Sequence, residues 1–305
     1  MVCVCVVGFV GSLLLLERER TMSRVDKADT AKWEEISSKC FKDQSIWALN
    51  GFWDIMEKDA ELVWTWTQKM AELHQDKHAD GCDLDEFWSH KFLETLGETM
   101  TVIEMREKFR KIDADFNKRM SMLEYLMFRY NIEPHAMVTA LQGGDQEQIN
   151  KAQAMVDSAQ KAVDEMNAAL EASVQAEKEN KAALAELRAQ EKAFEDKKAA
   201  LEKTKNDMSI GVVKRNKAAN ELDQMLSEDP LPLRKAKINQ AAAVKKSERA
   251  TKAAEAAVKN AEAKLQEALE FLQRAKQSGG VARGAIWWME RELTEKKKYL
   301  PASRR

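Results

Sequence analysis

From Asp145 to Ser278 the chain holds two aromatic residues, Phe194 and Phe271, in a background of Ala, Lys, Glu and Gln. Within it Ala152, Val156, Ala159, Val163, Met166 and Leu170 follow one another at spacings of 4, 3, 4, 3 and 4. Val258, Ala261, Leu265, Ala268 and Leu272 repeat the alternation. An apolar residue every third or fourth position, on residue types that favour helix, lays a stripe along one helix face with Glu and Lys on the solvated side. A strand cannot use that period. Two interruptions break the pattern, Ser209-Ile210-Gly211 and Asp229-Pro230-Leu231-Pro232. Each proline removes a donor and restricts the residue before it, so no helix runs through the second break. The expected layout is a helix from about Gln146 to Met208, a shorter one to about Glu228, and a third from about Leu233 to Gln277. The small, Ala-rich seam suits helices folded back on one another, with a parallel two-stranded dimer as the alternative. With 11 Gly and 4 Pro in 305 residues there is too little turn chemistry for a sandwich, barrel or propeller. The fold class is all-α.

The segment before this is different in kind. Six of the eight Trp lie between Trp33 and Trp88, and such bulky residues are what a compact core uses. Its most specific local signal is Asp113-Ala-Asp-Phe-Asn-Lys-Arg-Met-Ser-Met-Leu-Glu124. Oxygen side chains fall at loop positions 1, 3, 5, 9 and 12, namely Asp113, Asp115, Asn117, Ser121 and Glu124, and Arg119 at position 7 offers its backbone carbonyl. Calcium is a hard cation that takes six to eight oxygens, and this spacing is that of an EF-hand loop. Phe109 and Ile112 before it, and Leu123, Leu126, Met127 and Tyr130 after it, give the two flanking amphipathic helices. Position 6, ordinarily Gly for a sharp turn, is Lys118, and a side chain in left-handed geometry costs about 1–2 kcal/mol. That cost is expected to weaken calcium binding, and a hand kept for packing alone is the competing reading.

Hands work in pairs, so a partner is expected upstream. Asp76 to Phe87 is acidic, holds Gly81 and precedes an apolar helix, but no frame works: counting from Asp76 ends on Phe87, and counting back from Glu86 begins on Gln75. It reads as a degenerate, structural hand. His74, His78 and Cys82 fall at i, i+4 and i+8, a spacing that can line one helix face and hold zinc; Asp80-Gly81 is expected to end the helix first. Cys3, Cys5, Cys40 and Cys82 have no paired spacing and read as free thiols in a reducing compartment.

Gly143-Gly144 and Gly279-Gly280 punctuate the chain. The expected domains are an apolar tail over 1–25, an EF-hand-like domain over 26–143, a coiled-coil domain over 145–278 and a tail helix over 279–305. Val2 to Leu16 is shorter than the roughly 20 residues a bilayer span needs, and no Lys or Arg precedes it. A signal anchor stays open beside a gene-model extension with Met22 as the start, and the extension is the preferred reading. No membrane partner is expected. Metal-protease, dinucleotide, phosphate-loop and nucleophile motifs are all missing, so no enzyme is expected.

The 49 basic and 51 acidic residues nearly cancel, but they are unevenly placed. Asp145 to Glu202 carries 8 basic against 13 acidic residues, whereas Arg234 to Lys259 carries 8 against 2. Arg234, Lys235, Lys237, Lys245, Lys246, Arg249 and Lys252 either dock on an acidic polymer or lie against the acidic helix of the hairpin. Nucleic acid is not the expected polymer, since no aromatic interleaving or known module accompanies the run. In the tail, Ile286, Trp287, Trp288 and Met289 head an amphipathic helix that ends in three Lys. They either anchor it to the main body or form a docking peptide for a partner.

Trp47-Ala-Leu-Asn-Gly-Phe-Trp53, Arg106-Glu-Lys-Phe-Arg-Lys-Ile-Asp113, Leu123-Glu-Tyr-Leu126 and above all Gly284-Ala-Ile-Trp-Trp-Met-Glu-Arg-Glu-Leu-Thr-Glu-Lys-Lys-Lys298 resemble the calcium-regulated actin-bundling family of amoebae. The likeness covers roughly Ser45 to Asn131 and the last stretch of the chain, and in the Ala-rich middle it is one of character. Lys118 departs from the family's loop Gly, and the apolar N-terminus has no counterpart. The resemblance implies cross-linking of filamentous actin, weakened by calcium, in the cytoplasmic actin cytoskeleton, by a monomer with two filament sites or by a dimer. It implies a filament-binding region in the helical segment, which adds Lys203, Lys205, Lys214, Arg215 and Lys217 to the basic run. The alternative is a calcium-sensing coiled-coil adaptor, or a cytoskeletal or flagellar scaffold, that bundles no actin.

Overall fold

The structure is a computed structural model that describes residues 24–97, 101–144, 146–227, 230–277 and 282–302. The apolar run from Val2 to Leu16, Met22, and the Gly279-Gly280 pair lie outside those residues. The chain divides into two compact units, one of Met1–Ala154 with Leu269–Glu292, the other of Met155–Ala268 with Leu293–Arg305.

The first unit begins with α1 (Thr30–Ser37), α2 (Phe41–Gly51), α3 (Trp53–Met56) and α4 (Ala60–Leu73). Strand β1 (Asp83–Asp85) leads into α5 (Glu86–Thr95), and α6 (Val102–Ile112) leads through a loop to β2 (Arg119–Ser121), α7 (Met122–Tyr130) and α8 (Pro134–Thr139). Local chemistry explains the helix starts. Thr101 with Glu104, and Ser121 with Glu124, form capping boxes on α6 and α7, each satisfying two backbone donors that a helix start leaves orphaned. Pro134 opens α8 where its missing N–H costs nothing. The two strands pair antiparallel, with Asp83 opposite Ser121, Leu84 opposite Met120 and Asp85 opposite Arg119. Two helix–loop–helix units are thereby joined through their loops.

The core of this unit is aromatic. Tyr125 stands edge-on to Trp66 and Phe92, with ring centroids 5.2 and 4.9 Å away. One buried amide ties three segments together. Gln44 Nε2 donates to the carbonyls of Ser37, Lys39 and Cys82 at 2.8, 2.7 and 2.7 Å, and its Oε1 accepts from Leu123 N at 3.2 Å. Burying an amide is tolerable because its polar atoms are matched this way.

The second unit is built on α9 (Gln146–Asn206), α10 (Val212–Ser227) and α11 (Leu231–Gln277). Within it α9 and α11 run antiparallel: Ser173 meets Thr251 at 3.4 Å, and six residues further along α9 Glu179 pairs with Lys246. The seam between them buries Val163, Met166 and Ala176 from one side and Ala254, Ala261, Leu265 and Ala268 from the other. This is the folded-back arrangement that the small residues favour. The break after α9 is an Asx turn, in which Asp207 Oδ1 accepts from Ser209 N at 2.9 Å and Ser209 Oγ at 2.6 Å. Helix α11 starts at Leu231, two residues before the position expected from its prolines. Pro232 fits in the first turn, where no intrahelical donor is needed, and the first bond of the ladder runs from Arg234 N to Pro230 O at 3.0 Å.

The last helix, α12 (Arg283–Lys297), contributes its residues up to Glu292 to the first unit. Gly284 is required there, because a Cβ would lie 2.6 Å from Asn50 N and from the Leu49 carbonyl carbon. Ala285 N donates to Asn50 Oδ1 at 2.8 Å, and Trp288 is fully buried with its ring 4.7 Å from that of Trp64. Arg291 Nε reaches both carboxylate oxygens of Glu61 at 2.8 Å, and Lys42 pairs with Glu292 at 2.7 Å. Ile286 and Met289 are buried and Trp287 is half-buried. Among the described residues no helix is long and apolar enough to cross a membrane.

Candidate metal centre

Helices α6 and α7 hold the loop from Asp113 to Glu124 between them, and β2 fixes its second half. One ligand atom from each of Asp113, Asp115 and Glu124 lies within 4.8 Å of the other two. Three carboxylates this close repel one another, which in water would drive them apart. Here the backbone holds them. Glu124 is fully buried: Oε1 accepts from Ala114 N at 2.9 Å, and Oε2 accepts from Ser121 N and Oγ at 2.8 and 2.9 Å. Burial, and after it the charge of Asp115, pushes the Glu124 carboxyl up to about 8. Burial also raises Asp113, against the lowering effect of the Lys118 N–H that bonds its Oδ2 at 3.1 Å.

The donor set is oxygen throughout, which suits a hard cation and not a soft one. Asp113 Oδ1 is buried without a hydrogen-bond partner, the condition expected of an atom placed to ligate. The residues present therefore fit calcium, which Asp113, Asp115 and Glu124 would hold as charged ligands. The other sequence-derived ligands are engaged within the loop. Asn117 Oδ1 accepts from Arg119 N at 2.6 Å, and the Ser121 hydroxyl caps α7 against Glu124. The side chain of Arg119 turns away to pair with Asp83 of β1.

Lys118 adopts φ +59°, so the left-handed turn that glycine usually makes is made by lysine. Replacing it should relieve the fold. Lys118→Gly is expected to raise the melting temperature, by at most the equivalent of ~1 kcal/mol because glycine adds chain entropy to the unfolded state. A lower melting temperature in a thermal scan would mean that the Lys118 side chain stabilises the loop in some other way.

The upstream hand is settled by the strand register. Leu84 stands opposite Met120, which is position 8 of the downstream loop, so the place of Glu124 falls on Trp88. Asp85 caps α5 by accepting from Trp88 N at 2.9 Å, as Ser121 caps α7. Neither frame counted from Asp76 or Glu86 matches this register, and an indole at position 12 offers a cation nothing. The zinc spacing also dissolves. Helix α4 ends at Leu73, and His74 accepts from Lys77 N and lies against Gly81 in place of continuing a helical face. The only cluster of His, Cys, Asp and Glu with metal-binding geometry among the described residues is that of Asp113, Asp115 and Glu124.

One residue at this site has no signal in the loop pattern. Trp33 of α1, buried in the core, donates its Nε1–H to Asp115 Oδ2 at 2.9 Å across 82 residues of sequence.

On the helical unit the basic residues are spread over three elements. Lys203 and Lys205 lie in the last turn of α9, Lys214, Arg215 and Lys217 on α10, and Arg234, Lys235, Lys237, Lys245, Lys246, Arg249 and Lys252 on α11. All are exposed except Arg215, which is half-buried. Lys246, though exposed, pairs with Glu179 across the hairpin, as the hairpin reading expects for that residue. By contrast Lys235, Ile238, Ala242, Lys245, Arg249 and Lys252 are all exposed and follow one another at spacings of 3, 4, 3, 4 and 3. They form one solvent-facing stripe on α11, with Ile238 63% exposed.

A pair of helix–loop–helix units with an oxygen-only carboxylate cluster, in one chain with an Ala-rich antiparallel helical hairpin, defines an all-α protein. The sequence profile described as "F actin bundling C terminal" matches residues 119–279, and the chain belongs to that family. It is 27% identical over 295 residues to a calcium-regulated actin-bundling protein of Dictyostelium discoideum, across 85% of this chain and 84% of that one. The crystal structure of a 34 kDa F-actin bundling protein from the same organism matches with a TM-score of 0.51 at 21% identity, over 92% of this chain and 100% of that chain. That likeness bears on the fold.

Proposed function

We propose that this protein cross-links actin filaments in the cytoplasm and that calcium, bound by Asp113, Asp115 and Glu124, weakens the cross-linking. The observation that carries the filament reading is the basic stripe on α11. It lies in the region matched by the actin-bundling family, faces solvent, and sets four cations beside the exposed Ile238 and Ala242. Cations on one helix face suit an acidic filament, and the exposed Ile238, next to Lys235 in the stripe, adds apolar contact area near its start. The calcium reading is supported by the carboxylate cluster, in which Asp113 and Glu124 are buried and Asp115 is half-buried, and by the regulated relative.

Cosedimentation tests both halves. The protein should pellet with filaments at high speed and should bring bundles down at low speed in a chelator, with less in the low-speed pellet once calcium is added. Lys245→Glu combined with Arg249→Glu should weaken filament binding by about tenfold or more, and added salt should act in the same direction. Lys246→Glu should act mainly on the hairpin, because its partner is Glu179. Absence from the high-speed pellet at modest salt would favour an adaptor that binds no filament. Unchanged pelleting of the double variant would move the contact off α11.

A further inference from the structure

Another indole N–H bond in the first unit, to backbone, makes the Trp33 contact informative by comparison. Trp47, which is half-buried, donates its Nε1–H to the Met137 carbonyl at 2.9 Å, an ordinary way to satisfy an indole N–H. Trp33 instead donates to a carboxylate oxygen at position 3 of the cation loop. Its helix is otherwise tethered away from that loop. Asp29, just before α1, pairs with His135 of α8 at 2.7 Å, and Trp33 and Ile36 are buried in the core. Two further contacts run from the same segment to the same loop: Arg24 lies 4.3 Å above the Phe116 ring, and Val25 N donates to Ala114 O at 3.4 Å. Residues 24–33 thus touch three consecutive loop residues, Ala114, Asp115 and Phe116, from outside both helix–loop–helix units.

We propose that Trp33 is a positioning residue for the cation loop: its indole N–H fixes the Asp115 carboxylate in the orientation that calcium requires. The inference rests on the calcium reading of the loop given above. Its physical content lies in the kind of donor. A lysine or arginine at this place would orient Asp115 and also neutralise it, weakening its attraction for a cation. An indole N–H carries no charge and takes up one lone-pair direction of Oδ2, so the carboxylate is held and its charge is kept. Asp115 needs such a brace, because its neighbours Phe116 and Asn117 are exposed and a loop carboxylate there would otherwise turn to water. The Asn117 backbone and side-chain amides, which also bond Asp115 at 3.0 Å each, belong to the same exposed stretch and cannot fix it against the core.

The test uses the full chain and calcium itself. Trp33→Phe removes the N–H and keeps most of the ring, and Trp47→Phe is the matched control, since it loses an indole bond of the same length that does not reach the loop. Calorimetric titration of Trp33→Phe should show calcium affinity weakened by about 10- to 100-fold, the usual range for a residue that orients a ligand. Trp47→Phe should bind as the wild type does. A second readout separates orientation from general loosening. In chain labelled with 5-fluorotryptophan, the fluorine resonance missing from Trp33→Phe should shift during the calcium titration of the wild type, while that of Trp47 stays in place. Trp33→Tyr serves for assignment should the Phe variant fail to fold. Wild-type affinity in Trp33→Phe, or a Trp33 resonance that calcium does not move, would overturn the proposal and leave the calcium reading intact. A wild-type chain that takes up no calcium would remove both.

Discussion

Calcium uptake is expected to vanish in Glu124→Gln, while the fold survives. The wild type should bind one ion per chain, seen as one calorimetric transition, because Trp88 stands where the upstream loop would need its carboxylate. Survival of the fold follows from the buried setting of Glu124. Its carboxyl is raised to about 8, so near neutral pH and without calcium it is largely the uncharged acid, which Gln imitates in shape. The amide can match only one of the two donor sets that Ala114 and Ser121 present to the carboxylate, so a loss of about 1–2 kcal/mol is expected. The same residue gives the binding a pH dependence. Calcium requires the ionised form and must expel the proton, so affinity should rise by about tenfold per unit as pH climbs toward 8, then level off. Stability without calcium should move the other way. The folded value lies above the ordinary 4.5, so the contribution of protonated Glu124 is complete below that value and is lost as pH rises through about 8. Melting temperatures in a chelator should fall across that window and recover with calcium. Two binding transitions, heat that persists in Glu124→Gln, or an affinity flat in pH would each contradict the assignment.

Trp288→Ala should cost the first unit about 3–5 kcal/mol, a drop of roughly 10 °C in its melting temperature. The side chain is fully buried beside Trp64, and its Nε1–H donates to Glu292 Oε1 at 3.3 Å, an acid also paired with Lys42. Removing the ring leaves a cavity that Gly284 cannot help to close, since its backbone already touches Leu49 and Asn50. Trp287→Ala makes the control. Its ring is half-buried and meets Trp288 edge-on at 6.3 Å, so a loss within ~1 kcal/mol is expected. Near-UV circular dichroism during a thermal scan reports both. Equal effects from the two variants would mean that the tail helix is held by its ion pairs and not by the buried indole.

The helical unit was legible because a coiled seam repeats. Met166, Ala261, Leu265 and Ala268 are placed by spacing alone, and all are buried. The downstream loop was legible for a related reason, since a cation with fixed coordination demands oxygens at fixed offsets. What escaped has no period. Acidic residues suggested frames from Asp76 or Glu86, whereas the register is set by Leu84 pairing with Met120 across the sheet. Trp33 meets Asp115, Gln44 meets Leu123 and Lys246 meets Glu179 only because distant segments converge. Each is a single polar contact with no echo elsewhere along the chain. The start of α11 was misjudged on a local point, the tolerance of a helix's first turn for Pro232.

The first unit takes its core from two stretches of chain, one ending at Ala154 and the other running from Leu269 to Glu292. On a ribosome these stretches are made at different times. All of Met155–Ala268 is polymerised between them, an interval on the order of ten seconds at ordinary elongation rates. During that interval Trp64, Leu49 and Asn50 have no Trp288, Gly284 or Ala285 to meet, and the slot they form stands open. An apolar slot of that kind is what holding chaperones bind and what nascent neighbours stick to. The contacts that Gly284, Ala285 and Trp288 make with this slot are therefore among the last that the first unit can form as the chain is made.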